Sequence, residues 1–201
     1  MSLNFSQDIK SLLAKSATEP ITITEIFQET GERGISLIIA LLVLPFLFPM
    51  PPGLSGVMGI GCFCLAIQIA LGKKSPWLPK QIAQFKFSRS LSQQLLKNLR
   101  RITVLLEKIV RPRWEQIAAN YYTKRTNGFC IAWLSILLMS PIPFTNPPPA
   151  LTILLLTVAT LEADGLLMCI GYILTLINTI FFAFIAYALW QAPQLLPNFF
   201  K

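Results

Sequence analysis

The sequence predicts an all-α integral membrane protein, and three observations carry that prediction. Charged residues make up 13% of the chain and hydrophobic ones 54%, against roughly 25% charged in a soluble domain. Residues 35–72 and 165–190 are free of charge, and each exceeds the roughly 18 to 20 apolar residues that mark a membrane span. Most of the 15 prolines fall inside or beside apolar stretches, where a continuous span would exclude them. The expected architecture has two Pro-broken re-entrant helical hairpins in tandem, amphipathic interface helices and a long C-terminal transmembrane helix. All of it belongs to one membrane domain, residues 1–201.

Residues 1–33 read as amphipathic N-terminal helices. Leu3, Phe5, Ile9, Leu12 and Leu13 fall near helical spacing, Pro20 interrupts, and a second helix runs through Ile26 and Phe27. Such helices lie in the membrane interface or pack on the core. Asn4, Gln7, Asp8 and Lys10 leave no apolar h-region for a cleavable signal peptide.

The first Pro-broken unit is 34–72. A continuous helix over the charge-free part would be about 57 Å long, against about 30 Å of hydrocarbon. Pro45, Pro49, Pro51, Pro52 and Gly53 supply the break, because proline removes amide donors and glycine permits a sharp turn. The arms are then Ile35–Leu44, too short to cross, and Leu54–Leu71, near crossing length.

Residues 73–127 form a basic amphipathic segment. Residues 73–125 hold 13 of the 17 Lys and Arg residues, against Glu107 and Glu115. Lys and Arg gather on the cytoplasmic side of membrane segments, beside anionic lipid. Lipid is therefore the expected partner of this segment, and nucleic acid is not. Leu91, Leu95, Leu96, Leu99, Ile102, Leu105, Leu106 and Ile109 recur at helical steps, with Lys97, Arg100, Arg101 and Lys108 in other phases. A helix of this kind contacts lipid or packs on its own protein. Arg111, Pro112 and Arg113 stop it. Trp114, Ile117, Tyr121 and Tyr122 predict a second short helix, and Trp77 between Pro76 and Pro79 is an interface anchor.

The second Pro-broken unit is 128–161, with its break at Pro141, Pro143, Pro147, Pro148 and Pro149 and the next helix starting at about Ala150. Glu162 and Asp164 interrupt the apolar character. The transmembrane helix then spans 165–190 and ends in Tyr187 and Trp190, an aromatic belt. The tail 191–201, with Pro193 and Pro197, is expected to be interfacial or frayed.

A shift of 96 residues superposes the two breaks. Pro45 falls on Pro141, and Pro51, Pro52 and Gly53 fall on Pro147, Pro148 and Pro149. Non-helical backbone at membrane depth must be buried in protein or line water. Paired breaks are the sequence pointer to a central transporter site; the bland alternative is a pair of packed hairpins with no cavity. Pro45, Pro51, Pro52, Gly53, Ser55, Pro141, Thr145, Asn146 and Pro147, with the carboxylates Glu162 and Asp164, are the candidate ion- or solute-binding residues. Freed carbonyls would face a cation and helix N-termini an anion.

Several short motifs, in order, resemble the exopolysaccharide-synthesis ExoD family of bacterial membrane proteins. They are Gly31-Glu32-Arg33-Gly34, the run from Leu44-Pro45 to Pro51-Pro52-Gly53-Leu54-Ser55, Pro76-Trp77-Leu78-Pro79, Arg111-Pro112-Arg113, Pro141-Ile142-Pro143-Phe144 with Asn146, and Leu161-Glu162 with Asp164-Gly165. Thr145 stands where the family pattern has a glycine, and Pro147-Pro148 replaces an apolar pair. The resemblance implies a role in making or exporting extracellular polysaccharide, in the bacterial cytoplasmic (inner) membrane, with no reaction attached.

Enzymatic chemistry is not expected. The chain has no histidine, so no His base or ligand exists. Glycosyl chemistry requires a carboxylate pair around a sugar, whereas Glu162 and Asp164, at i and i+2, point to different helix faces. Asp164 suits the N-cap of the following helix, which leaves Glu162 the better coupling carboxylate. Cys62, Cys64, Cys130 and Cys169 read as buried hydrophobes, so neither metal nor cofactor is expected. Gly53, Gly56 and Gly59 form a small-residue face for close helix packing. A homodimer is expected, since so few helices enclose little.

Two functions stand. One is a transporter-like site at the breaks. The other is a non-transporting scaffold that binds lipid and a polysaccharide synthase or export complex through Lys97, Arg100, Arg101, Arg111 and Arg113.

Overall fold

A computed structural model describes residues 34–47, 54–73, 113–118, 120–140, 142 and 145–199. Their regular structure is entirely helical. Helix α1 (Gly34–Val43) runs into a 3₁₀ helix (Leu44–Leu47), followed by α2 (Leu54–Ala70), short α3 (Glu115–Ala118), α4 (Tyr121–Leu138), α5 (Pro147–Leu161) and α6 (Gly165–Phe199). The amphipathic segment 1–33, the basic helix with Lys97, Arg100 and Arg101, the Trp77 anchor, Arg111, and the turn residues Pro51, Pro52, Gly53 and Pro141 lie outside the described residues.

Every residue of α1 is buried, as are Leu44, Pro45 and Phe46 of the 3₁₀ helix. A ten-residue helix is about 15 Å long, too short to cross, and here it forms the centre of the molecule. It packs on α2 and α5. The most extensive helix pairing is α2 with α4, and it is antiparallel: Gly59 faces Met139, Gly128 faces Ala66 and Ala70, and Gly72 faces Tyr121. Helix α5 runs antiparallel to α4, with Asn127 bonded to Thr160. Helix α6 is antiparallel to α5 and parallel to α4, with Asn178 bonded to Thr152 and Trp133 to Thr179.

In a lipid environment, apolar transfer gives little drive to helix association, so close backbone approach matters more. Gly128 carries that approach. A Cβ there would overlap Ala70 N and stand 2.8 Å from Ala70 Cα and 2.9 Å from Ala66 O. A Cβ at Gly59 would meet only a flexible side chain, with Met139 Cγ 2.5 Å away. The close packing of Gly59 is therefore within the chain.

Charge divides the bundle into two ends. Among the described residues the charges are Lys73, Arg113, Glu115, Lys124, Arg125, Glu162 and Asp164. All belong to the end where α2 and α5 finish and α4 and α6 begin. The opposite end, where α2 and α5 begin, carries none among the described residues.

One described helix is long and apolar enough to cross a membrane by length and composition, Gly165–Gln191, and only a third of its apolar window is buried in the protein. Its outward face exposes Ile173, Leu176, Ile177, Ile180 and Phe184. Phe129, Trp133 and Ile136 of α4 and Leu151 of α5 are exposed as well. Monomeric soluble proteins rarely expose so large an apolar surface, which marks contact with a membrane or another protein.

Three sequence expectations are corrected. Trp114 to Tyr122 is not one short helix. It breaks at Asn120, whose side chain accepts from Tyr122 N at 3.0 Å and so caps α4. That helix starts seven residues before the second apolar unit at 128, and Lys124 and Arg125 ride on its first turns. The tail does not fray at 191, because α6 continues to Phe199. Pro147, Pro148 and Pro149 do not break a helix; they begin one. The first turn of a helix needs no amide donors, so three prolines fit where they would break a helix interior.

Candidate functional site

The described residues between α4 and α5 are Met139, Ser140, Ile142, Thr145 and Asn146. Met139 N donates to Ser135 O and Ile136 O, and Ser140 N donates to Leu137 O, which closes α4. Thr145 is buried, and its Oγ1 donates to the Ile142 carbonyl at 2.9 Å, tightening the turn. Asn146 occupies the N-cap of α5 but makes no capping bond. The cause is covalent: an N-cap side chain accepts from the N–H of the second or third helical residue, and Pro148 and Pro149 have none. Asn146 Oδ1 is left buried with no partner.

This arrangement decides the ligand chemistry of the end. The first amide of α5 is Ala150 N, and it donates to Asn146 O at 3.1 Å. The three prolines leave the first turn of α5 without free backbone N–H groups to offer an anion, so the helix-start argument for an anion fails here. Acceptors remain.

Deeper in the bundle the structure adds residues that sequence reasoning passed over. Asn178 Nδ2 donates to Thr152 Oγ1 at 3.0 Å and to Leu174 O at 2.8 Å. Thr152 Oγ1 donates to Pro148 O at 3.0 Å. The chain of bonds thus links α6 to the first turn of α5. Asn127 Nδ2 donates to Thr160 Oγ1 at 2.7 Å, nearer the charged end. Asn127 Oδ1 and Asn178 Oδ1, like that of Asn146, are buried without a partner. An amide inside an apolar run is the sequence signal that would have found both.

The predicted site residues separate into two groups. Pro45, Thr145, Asn146 and Pro147 lie at the uncharged end, and Ser55 sits in the first turn of α2 there. Glu162 and Asp164 lie at the other end, about 20 Å away along α5. Asp164 is 1% exposed, and its Oδ1 accepts from Leu167 N at 3.1 Å as the cap of α6. Half-buried Glu162 ends α5, its N–H donating to Val158 O at 3.0 Å. Gln68 is buried and its Nε2 donates to Cys64 O at 2.9 Å in its own helix.

The charged end is tied shut. Arg125 Nε donates to Ala70 O at 2.8 Å, capping α2, and its guanidinium lies 5.1 Å from the Tyr121 ring centroid. Exposed Arg113 gives its carbonyl to Gly165 N at 2.8 Å. Trp114, Tyr121 and Tyr122 are exposed around these cations, the composition of a membrane–water interface.

Comparisons place this fold among known sequences. The family model described as "Exopolysaccharide synthesis, ExoD" matches residues 5–184. Protein ExoD of Rhizobium meliloti is 35% identical over 98% of this chain and 83% of its own. The uncharacterized protein slr1875 of Synechocystis sp. is 26% identical over 92% of this chain and 89% of its own. No solved structure matches. The chain belongs to the exopolysaccharide-synthesis ExoD family.

Proposed function

We propose that the protein supports exopolysaccharide synthesis or export from the bacterial inner membrane as a multi-pass, non-catalytic, transporter-like protein. Its ion or solute site lies between the two proline breaks. The observation that carries this reading is the depth of the breaks. From Arg125 to the end of α4 is about 20 Å, and α5 is about 22 Å long. With the charged end at one membrane surface, both breaks fall within the roughly 30 Å hydrocarbon layer. Irregular backbone at that depth must be enclosed by protein or meet water. Among the described helices only α6 continues well past it.

The pairing pattern supports two related units. Helix α2 packs on α4 and α1 packs on α5. The 96-residue shift carries the first pair onto the second, the pattern of a two-fold repeat. Glu162 belongs to the charged mouth rather than to the breaks.

Lipid contact at the charged end is part of the same reading, given the Arg113, Lys124 and Arg125 cations beside exposed Trp114 and Tyr122. Lys97, Arg100, Arg101 and Arg111 of the basic segment are the proposed contacts for lipid and for polysaccharide synthesis or export proteins, and the protein works as a homodimer.

Cysteine accessibility in native membranes tests the central claim. Single cysteines through 45–55 and 141–151, in a chain cleared of its own four cysteines, are labelled from each side with a small impermeant thiol reagent. Labelling at both breaks is expected. A folded protein that labels at neither has closed hairpins and no site, and charge reversal at Lys97, Arg100 and Arg101 then becomes the informative experiment.

A further inference from the structure

We infer that Asn178 and Thr152 form the inner wall of an alkali-cation site that opens on the break between α4 and α5. The inference rests on the transporter-like reading and names its ligand class.

Asn178 is 4% exposed. Both hydrogens of its amide are committed, to Thr152 Oγ1 and Leu174 O. The Thr152 hydroxyl hydrogen is committed to Pro148 O. Turning the amide over would set Oδ1 against the Leu174 carbonyl, so the orientation is fixed by its partners. Oδ1 is therefore an acceptor held in place, buried and unmatched, in a position where a missing donor is costly.

Asn146 Oδ1, at the head of the same helix, is a second such acceptor. Thr152 is five residues beyond Pro147, about 7 Å into α5, and its bond to Pro148 O joins the two places.

The electrostatics select the ligand. Helix α4 ends on the break, bringing the negative end of its dipole. Helix α5 starts with prolines and lacks the amide hydrogens that would offer a positive end. No charged residue lies at this end among the described residues. Neutral oxygens without carboxylates suit a single positive charge, whereas a divalent ion draws on carboxylates. Amide, hydroxyl and carbonyl oxygens at broken helices hold alkali cations in transporters in this way. Asn127 carries the same kind of acceptor but sits toward the charged end, bonded to Thr160; it is the internal control.

The test is the unfolding temperature of the full-length protein in lipid nanodiscs, in sodium or potassium chloride against choline chloride at equal ionic strength. An alkali-specific rise of roughly 3–6 °C is expected at ten times the dissociation constant. Asn178→Leu should abolish it, and Asn178→Asp should retain it at lower salt. Thr152→Val, which releases the amide, should weaken the apparent affinity about tenfold, and it decides the matter if Asn178→Leu does not fold. Asn127→Ala should lower the midpoint equally in every salt. Equal midpoints in alkali and choline salts overturn the inference, as does a rise that survives Asn178→Leu. Breaks that label with the thiol reagent while the midpoint ignores alkali ions would overturn this site and leave the transporter-like reading standing. Dry breaks would end both.

Discussion

The two ends of the bundle are finished by opposite rules. At the charged end, helix termini are closed by dedicated groups: Asn120 on Tyr122 N, Asp164 on Leu167 N, Arg125 on Ala70 O and the Arg113 carbonyl on Gly165 N. At the proline end, α5 begins with no capping bond, and Asn146 Oδ1 is left over. Both ends place an asparagine at an N-cap, so residue type does not explain the difference. The following residues do. Tyr122 has an amide hydrogen to give, and Pro148 and Pro149 do not. The described helix ends are capped at the charged end, whereas α5 starts uncapped at the other and leaves the Asn146 acceptor unmatched.

That contrast can be broken or sharpened by substitution, with stability in nanodiscs as the readout. The largest effect is expected where α2 and α4 touch through backbone. Gly128→Val should destabilise by about 3 kcal/mol or prevent accumulation, because Ala66 and Ala70 backbone atoms cannot yield. Gly59→Ala should cost far less, since only the Met139 side chain must move. If the two cost the same, the α2–α4 seam is not set by Gly128.

Next in size, Asp164→Ala should cost about 1–2 kcal/mol through loss of the α6 cap, and Asp164→Asn should recover most of it, since asparagine caps as well. A smaller loss, about 0.5–1 kcal/mol, is expected for Asn120→Ala at its exposed cap. Least of all, Asn146→Ala should change the midpoint by under about 0.5 kcal/mol, because it makes no capping bond. A chemical-denaturation series on these variants gives the order directly. Should Asn146→Ala prove as costly as Asn120→Ala, Asn146 is structural, and the open character of its end is lost.

Much of the plan was legible because it follows from local chemistry. Proline placement located the breaks, since a missing amide acts within one turn. Asp164 before Gly165 announced a helix start, and the uncharged run after it announced the long helix. The reading failed where charge was taken as a helix boundary. Lys124 and Arg125 end the apolar run, but not α4, because cations on a first turn are tolerated when they lie at a surface and one of them caps a neighbour. It failed again at Pro147 to Pro149, where proline's two roles, breaking an interior and opening a first turn, look alike in sequence. Helix α6 continues through Pro193 and Pro197, and no contact described in the structure explains that.

The candidate site was half legible. Asn146 and Thr145 could be picked out beside the prolines. Asn178 and Asn127 were marked only as amides inside apolar runs, and their pairing with Thr152 and Thr160, 26 and 33 positions away, could not be read from the sequence. The sequence by itself determined the helical class, the membrane-length final helix, the positions of both breaks and the family. Composition and proline chemistry act locally and need no partner. Only the tertiary structure decided that α2 and α5 start at one end, that Glu162 and Asp164 sit at the other, and which amide oxygens among the described residues stay unmatched. Those facts depend on which helix faces meet, and close approach between helices is written in no single stretch of chain.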